Sequence, residues 1–229
     1  MASAELEQAK KLALAPISNF LVGAVAVGAS GRRYGGFNLE FTGLALDQTV
    51  HAEQAAVVLA HSQGEQRLVS LLTSAPPCGF CRQFLREIQT APWPQVAVAD
   101  SGQLGLDHWL PQSFGPQDLA VGGGLLEVCQ RLDDEASLEE LAGSSWSPYS
   151  RTRAAVAVRA GGRRWGGCYL ENAAFNPSLS PLQYALIRLR AQGLDWSDIE
   201  SIEFWESPGP VSLRPCTESL AKSLGHPLR

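Results

Sequence analysis

The sequence shows no excess of positive charge, no long uncharged apolar run and no even set of cysteines, and each absence excludes something. Lys and Arg total 18 against 23 Asp and Glu, a net charge of −5. Proteins that track phosphates along a nucleic acid carry a basic excess or stripe, so no nucleic-acid partner is expected. No stretch is long and apolar enough to cross a membrane, so no membrane partner is expected either. Residues 1–15 place Glu5, Glu7, Lys10 and Lys11 among alanines and leucines, which reads as an amphipathic helix and not as a signal segment. The 5 cysteines cannot all pair, and two of them are spaced C-x-x-C. Without a secretion signal, metal binding is expected over disulfides, and a cytoplasmic location over an external one. What is left, at 45% hydrophobic and 18% charged residues, is the composition of an ordinary globular protein of one large domain or two small ones.

Along the chain, residues 21–27 are small, apolar or β-branched, Gly31-Arg32-Arg33 reads as a turn, and 34–39 reads as a second strand completing a hairpin. Residues 48–61 read as a helix that Ala55 to Ala60 make apolar nearly all round, which calls for burial. A central strand is expected over 68–73, a helix over 81–89 with Phe84, Leu85 and Ile88 on one face, and a strand over 96–99. The order ββ-α-β-α-β implies a mixed sheet with helices on both faces. Residues 101–125 are rich in Gly, Pro and Gln and read as a connector. Ser137, with Glu140 three residues on, marks a further helix start.

The pattern then returns. Residues 31–40, GRRYGGFNLE, line up with 162–171, GRRWGGCYLE, identical at seven of ten positions. Upstream, Ala24-Val25-Ala26-Val27 matches Ala155-Val156-Ala157-Val158, and Pro16 and Ser18 match Pro148 and Ser150 after a one-residue slip. Downstream, Val50-His51-Ala52-Glu53-Gln54 faces Leu179-Ser180-Pro181-Leu182-Gln183, Pro77-Cys78 faces Pro215-Cys216, and Cys81 faces Ser219. The second half repeats the fold and drops the chemistry, which sets expected domains of 1–125, catalytic with its connector, and 126–229, with its site erased.

That chemistry belongs to His51, Glu53, Cys78 and Cys81. Two thiolates and one neutral imidazole can hold zinc and leave a fourth position open for water, the mark of a catalytic zinc. Two thiolates balance the zinc charge, and zinc brings the pKa of such a water to roughly 7. Glu53 lies two residues after His51 in the same helical turn, is not needed as a ligand, and is suited to carry protons from that water to a ring nitrogen and a leaving amine. A closed structural zinc would have no use for that carboxylate. One zinc per chain is expected, because Cys216 alone cannot hold a second.

The pattern H-x-E followed by P-C-x-x-C is the signature of zinc-dependent nucleobase deaminases. With Thr49-Val50-His51-Ala52-Glu53-Gln54, Pro77-Cys78-Gly79, Cys81-Arg82-Gln83-Phe84, Leu110-Pro111, Phe114-Gly115-Pro116 and 171–177, ENAAFNP, nearly the whole chain resembles the cytidine deaminases, most of all their two-domain, homodimeric bacterial branch. The resemblance implies an α/β fold of two tandem three-layer α/β/α copies with a mixed, five-stranded type of sheet, the second copy degenerate. It implies that Asn38 and Glu40 hydrogen-bond the ribose, and that Phe20 packs beside the nucleoside. Backbone at Ala52 and Pro76 would meet the pyrimidine edge. Phe114 would reach the site across a dimer interface, and 171–175 would lie near the partner's site. Phe80, Ala75 and the short segment before Pro16 depart from the branch and bear on substrate range and assembly.

The expectation is therefore hydrolytic deamination of cytidine and deoxycytidine in pyrimidine salvage, by hydroxide on zinc with Glu53 shuttling protons. The rivals are a deaminase of modified or antibiotic cytosine nucleosides and a non-catalytic zinc-containing nucleoside-binding protein; intact Glu53 argues against the latter.

Overall fold

In a computed structural model of the chain, residues 2–99 and 102–228 are described. They fall into two compact units. The first comprises the described residues up to Glu40, Thr49–Arg131 and Asn172–Pro177; the second comprises Phe41–Gln48, Leu132–Glu171 and the described residues from Ser178 onward.

Unit 1 begins with helix α1 (Ala2–Lys10), then the hairpin β1 (Gly23–Gly28) and β2 (Arg33–Phe37), helix α2 (Ala52–Ser62), strand β3 (Leu68–Thr73) and helix α3 (Gly79–Leu85). Strands β4 (Gln95–Val98) and β5 (Gln103–Gly105) follow, and then the single turn α4 (Leu106–Trp109). The sheet has five strands in the order β2-β1-β3-β4-β5, with only β3 and β4 parallel. Adjacent strand residues point to opposite faces, and two glycines show what covers each. A Cβ on Gly35 would touch Ala9 of α1, whereas a Cβ on Gly36 would overlap the Ala52 carbonyl and the Ala56 nitrogen of α2. So α1 and α2 cover opposite faces, and Gly36 lets α2 settle onto the sheet with its first turn in backbone contact. Every residue of α2 except Leu59 is buried, as its apolar circumference requires.

Unit 2 contains α5 (Leu138–Gly143), β6 (Ala154–Ala160), β7 (Arg163–Cys168), α6 (Pro181–Arg190), β8 (Ile199–Glu206) and α7 (Arg214–Ser223). Its sheet has three strands, β7-β6-β8, all antiparallel. The glycine pair recurs: a Cβ on Gly166 would meet Leu141 of α5, and one on Gly167 would overlap the Pro181 carbonyl at the start of α6. Ser137 caps α5, accepting from the Glu140 N–H, as its position predicts.

The elements differ from the sequence expectations at their ends. Residues 48–50 are not part of α2: Gln48 ends a separate 3-10 turn (Leu46–Gln48), His51 is an extended N-cap (φ −90°, ψ 152°), and Val50 bridges Leu39 in both directions at 2.9 Å. Helix α3 opens at Gly79 behind an extended Cys78, and residues 103–109 of the connector form β5 and α4. The Ala-Val-Ala-Val match is off by one in space. Ala24 pairs with Gly36, but Val156, not Ala155, pairs with Gly167. The turns explain the slip. The first hairpin closes through residues 29–31 with Gly31 at φ 82°, the second through Gly161 and Gly162 alone, both at positive φ.

Candidate active site

Leu39 organises the site. It bridges Leu14 on one side and Val50 on the other, so Asn38 and Glu40 are held in the segment that pairs with the entry to α2. His51 follows Val50 directly, and its backbone N–H donates to Gln54 Oε1 at 3.1 Å, closing the first turn. Cys78 caps α3 and Cys81 lies inside its first turn. The three donor atoms form a tight triangle. Cys81 Sγ lies 3.2 Å and Cys78 Sγ 3.5 Å from His51 Nδ1, and the two sulfurs are 3.5 Å apart. Tetrahedral coordination with ordinary zinc bond lengths needs edges of about 3.6 Å between sulfur and nitrogen and about 3.8 Å between sulfurs. The triangle is within a few tenths of an ångström of that size. Among the described residues it is the only group of three or more His, Cys, Asp or Glu that converges in this way.

The three groups are electrostatically linked. The Cys81 thiol and then the His51 imidazole hold the Cys78 thiol far down, at about 3, so it is a thiolate. Cys81 is pushed the other way, first by donating to that thiolate and then by burial. Glu53 is only 4% exposed, and burial pushes its carboxyl up from the ordinary carboxylate range while it hydrogen-bonds Cys81. A buried acid beside a metal triad, on the same helical turn as His51, is placed to exchange protons with a water held there.

The other expected residues are in unit 1, except Glu171, which falls in unit 2. Asn38 is buried; its Oδ1 accepts from the Val22 N–H at 2.8 Å and its Nδ2 donates to the Phe20 carbonyl at 3.0 Å. Glu40 accepts from the Ile17 and Ser18 N–H groups at 2.8 and 3.0 Å and from the Ser18 hydroxyl at 2.5 Å. Both therefore shape the 16–22 loop, which presents Ile17, Phe20 and Leu21 as exposed apolar groups. Ala52 is buried against Gly36, and Pro76 is exposed just before the cysteine turn. Phe114 is 45% exposed, and its carbonyl accepts from Gln83 Nε2 at 2.9 Å. Segment Asn172–Pro177 is fastened to α3 and α2: Asn172 Nδ2 donates to the Gln83 carbonyl at 3.1 Å, the Ala173 N–H to Glu87 at 2.9 Å, and Gln54 Nε2 to the Pro177 carbonyl at 3.3 Å.

Two features give no signal in the sequence. Phe80 stacks on the His51 ring, with centroids 5.3 Å apart and planes at 25°. Arg82 folds back over its own helix start to bond Pro77. Both flank Cys81 in the chain, but the C-x-x-C spacing does not say which way either side chain turns.

In unit 2 the equivalent positions carry no metal triad. Ser180 caps α6 and Leu182 is fully buried, while the Cys216 thiol donates to the Leu213 carbonyl of its own turn at 3.0 Å.

Comparison with known proteins agrees with this geometry. Residues 1–96 and 106–217 each match a family described as the cytidine and deoxycytidylate deaminase zinc-binding region. The cytidine deaminase of Vibrio vulnificus strain YJ016 is 41% identical over 219 residues, covering 92% of this chain and 74% of that protein. That of Photorhabdus laumondii is 40% identical over 234 residues, covering 98% and 80%. The chain belongs to the cytidine deaminase family. Among solved structures, a cytidine deaminase from Mycobacterium tuberculosis is 32% identical over 50% of this chain and 95% of its own, with a TM-score of 0.43. As a cytidine deaminase the chain is a zinc-dependent enzyme acting on a nucleoside, and His51, Cys78 and Cys81 are the group in it that fits the metal. Its two tandem α/β copies are those expected from the repeat, the second with the smaller sheet. No helix among the described residues is long and apolar enough to cross a membrane.

Proposed function

We propose that this chain converts cytidine and deoxycytidine to uridine and deoxyuridine with release of ammonia, using residues 1–125 for catalysis and 126–229 as a copy without a site. Zinc held by His51, Cys78 and Cys81 would supply the Lewis acidity that makes water nucleophilic at neutral pH. Glu53 takes a proton as water adds to C4 and delivers it to the ring nitrogen beside it. The second proton of that water passes from the C4 hydroxyl to the amine, the C4–N bond breaks, ammonia leaves, and the C4–O bond becomes the carbonyl. The observation that carries this assignment is a buried carboxyl, raised by desolvation, against the metal triad. The repeat supports it: the same helix position is Leu182 where the ligands are missing.

Asn38 and Glu40 hold the sugar. Each keeps hydrogen-bonding capacity after shaping the 16–22 loop, since a carboxylate has about four acceptor positions and a primary amide two donors. Asn38 is Tyr169 in the second copy, as expected of a sugar contact with no sugar to bind. Phe20 covers the nucleoside, and backbone at Ala52 and Pro76 meets the pyrimidine edge. Phe114 completes the site of a second copy of the chain in a homodimer, with 171–175 near that partner site. The net charge of −5 suits a free nucleoside better than a polynucleotide. A reducing cytoplasm suits free ligand thiols, and pyrimidine salvage suits the reaction. An ammonia-release screen over cytidine, deoxycytidine, cytosine and adenosine, with zinc measured on the same sample, tests the reading. Release from both nucleosides and from neither of the others is expected; turnover of adenosine or free cytosine alone would overturn it.

A further inference from the structure

We propose that Arg82 is a positioning residue for the zinc ligand Cys78, acting through the Pro77 carbonyl and the Trp109 ring. The inference rests on the assignment of His51, Cys78 and Cys81 as the zinc ligands. Cys78 follows Pro77, whose φ is fixed by its ring, so the direction of the Pro77 carbonyl sets how the chain enters Cys78. Arg82 Nε donates to that carbonyl at 2.7 Å. The same guanidinium donates through Nη1 to the Trp109 carbonyl at 3.0 Å and lies 5.1 Å from the centroid of the Trp109 ring. Trp109 Nε1 in turn donates to the Val96 carbonyl of β4 at 3.3 Å. The contacts thus run from the sheet through Trp109 and Arg82 to the peptide that carries Cys78. Cys81, the neighbouring ligand, directly precedes Arg82 in the chain. Cys78 itself stands on an exposed turn, so few other contacts hold its peptide in place.

The second copy is an internal control. Counting from the matched Pro77 and Pro215, Arg82 corresponds to Leu220, so the fork is absent where the metal is absent. Helix α7 holds its own start differently, through the Thr217 hydroxyl on the Leu213 carbonyl at 2.6 Å. That helix begins at Arg214, before its proline, so Cys216 lies inside the first turn and not at the cap as Cys78 does. The arginine accompanies the ligands.

Groups that orient metal ligands typically contribute 10–100-fold to metal affinity. The test is transfer of zinc from the holoenzyme to a chromogenic chelator, together with the thiolate charge-transfer band of the cobalt-substituted protein and the thermal midpoint. Arg82→Leu is expected to release zinc at least about tenfold faster and to shift the cobalt band. Arg82→Lys should fall between, because an ammonium lacks the planar fork that reaches two carbonyls and stacks on the ring. Arg86→Gln serves as the control, since Arg86 bonds Ser113 and Gln117 and not Pro77. Release within about twofold of wild type and an unchanged cobalt band in Arg82→Leu would overturn the proposal, even with a lowered midpoint, as would equal acceleration in Arg86→Gln. If Arg82→Leu does not fold, Arg82→Lys decides by the same criteria. Wild-type protein that takes up no zinc sinks the ligand assignment; one zinc that leaves every variant at the wild-type rate sinks only the role of Arg82.

Discussion

His51 and Ser180 occupy the same place in the two copies, each an extended N-cap whose backbone N–H donates to the glutamine three residues on, at 3.1 and 2.9 Å. Both glutamines then reach a carbonyl of a connecting segment, Gln54 that of Pro177 and Gln183 that of Gln48. The cap geometry and its glutamine are kept, while the capping side chain and the two residues after it differ. In the second copy the serine hydroxyl accepts from the Gln183 N–H at 3.3 Å, an ordinary capping box. Gly36 and Gln54 recur in the second copy as Gly167 and Gln183 and serve the fold in both, whereas His51, Glu53, Cys81 and Arg82 have no counterpart there, which supports the site roles proposed for them.

Glu53→Gln should retain one zinc and lose turnover. A general acid/base is worth about 10²–10⁴-fold, and one group serving several proton transfers should lie at the upper end or beyond. Zinc by elemental analysis and kcat on the same preparation check it; more than about a tenth of wild-type activity would remove Glu53 from the role.

Zinc should bind at one per chain and depend on unit 1 alone. Cys81→Ser should empty the site, whereas Cys216→Ser should leave stoichiometry and kcat at wild-type values. Two tightly bound ions per chain would contradict the reading of Ser180, Leu182 and Ser219 as an erased site.

The parts of this arrangement that were legible in the sequence are those written in short spacing or in repetition. His51, Glu53, Cys78 and Cys81 announce a metal, and GRRYGGFNLE against GRRWGGCYLE announces two copies. Helix α2 follows from an apolar circumference that only burial tolerates. The one-residue register slip between the hairpins was not legible, because Ala-Val-Ala-Val matches equally well in either register and the turn decides. The stack of Phe80 on His51 depends on where two separate segments meet, and the hold of Arg82 on Pro77 depends on which way one side chain turns, and neither is encoded in a local pattern.

Gly36→Ala and Gly167→Ala separate fold from chemistry. Each new Cβ would overlap helix backbone, of α2 and α6 respectively, where no flexible side chain can yield. Each should cost about 1–3 kcal/mol or more, read as a drop in the thermal midpoint. Only Gly36→Ala should also weaken zinc, because it displaces the turn that carries His51 and Glu53. Equal zinc loss in both would mean that general loosening, and not local displacement, empties the site.

Glu40 gives a pH signature independent of substrate. Burial pushes its carboxyl up, but the Ser18 hydroxyl and the Ser18 and Ile17 N–H groups outweigh that and hold it below the ordinary range. A lowered folded pKa gives stability that is fully present above the unfolded value, about 4.3, and is lost as pH falls through the folded one. The thermal midpoint of Glu40→Gln should therefore lie below wild type at pH 7, and the gap should close on acidification. A gap that widens as pH drops would mean that these hydrogen bonds do not favour the charged form.

The last prediction concerns a second chain. Ile17, Phe20 and Leu21 stand 45%, 61% and 44% exposed on one loop, and Phe114 and Phe175 are 45% and 66% exposed, all within unit 1. Large apolar groups left exposed call for a covering partner, and two copies around a closed symmetric interface would provide one. If Phe114 completes the partner's site, a chain with Glu53→Ala and a chain with Phe114→Ala are each deficient, yet their mixed dimer holds one intact site, with Glu53 from one chain and Phe114 from the other. Activity should then rise after subunit exchange toward about a quarter of wild type, since half the dimers are mixed and each has one good site of two. If instead Phe114 covers the site of its own chain, mixing restores nothing beyond the residual rate of Phe114→Ala. Exchange must be followed on the same sample, by mass or by differently labelled chains. Sedimentation of the active enzyme as a monomer at assay concentration, or demonstrated exchange with no gain in rate, would refute the shared site.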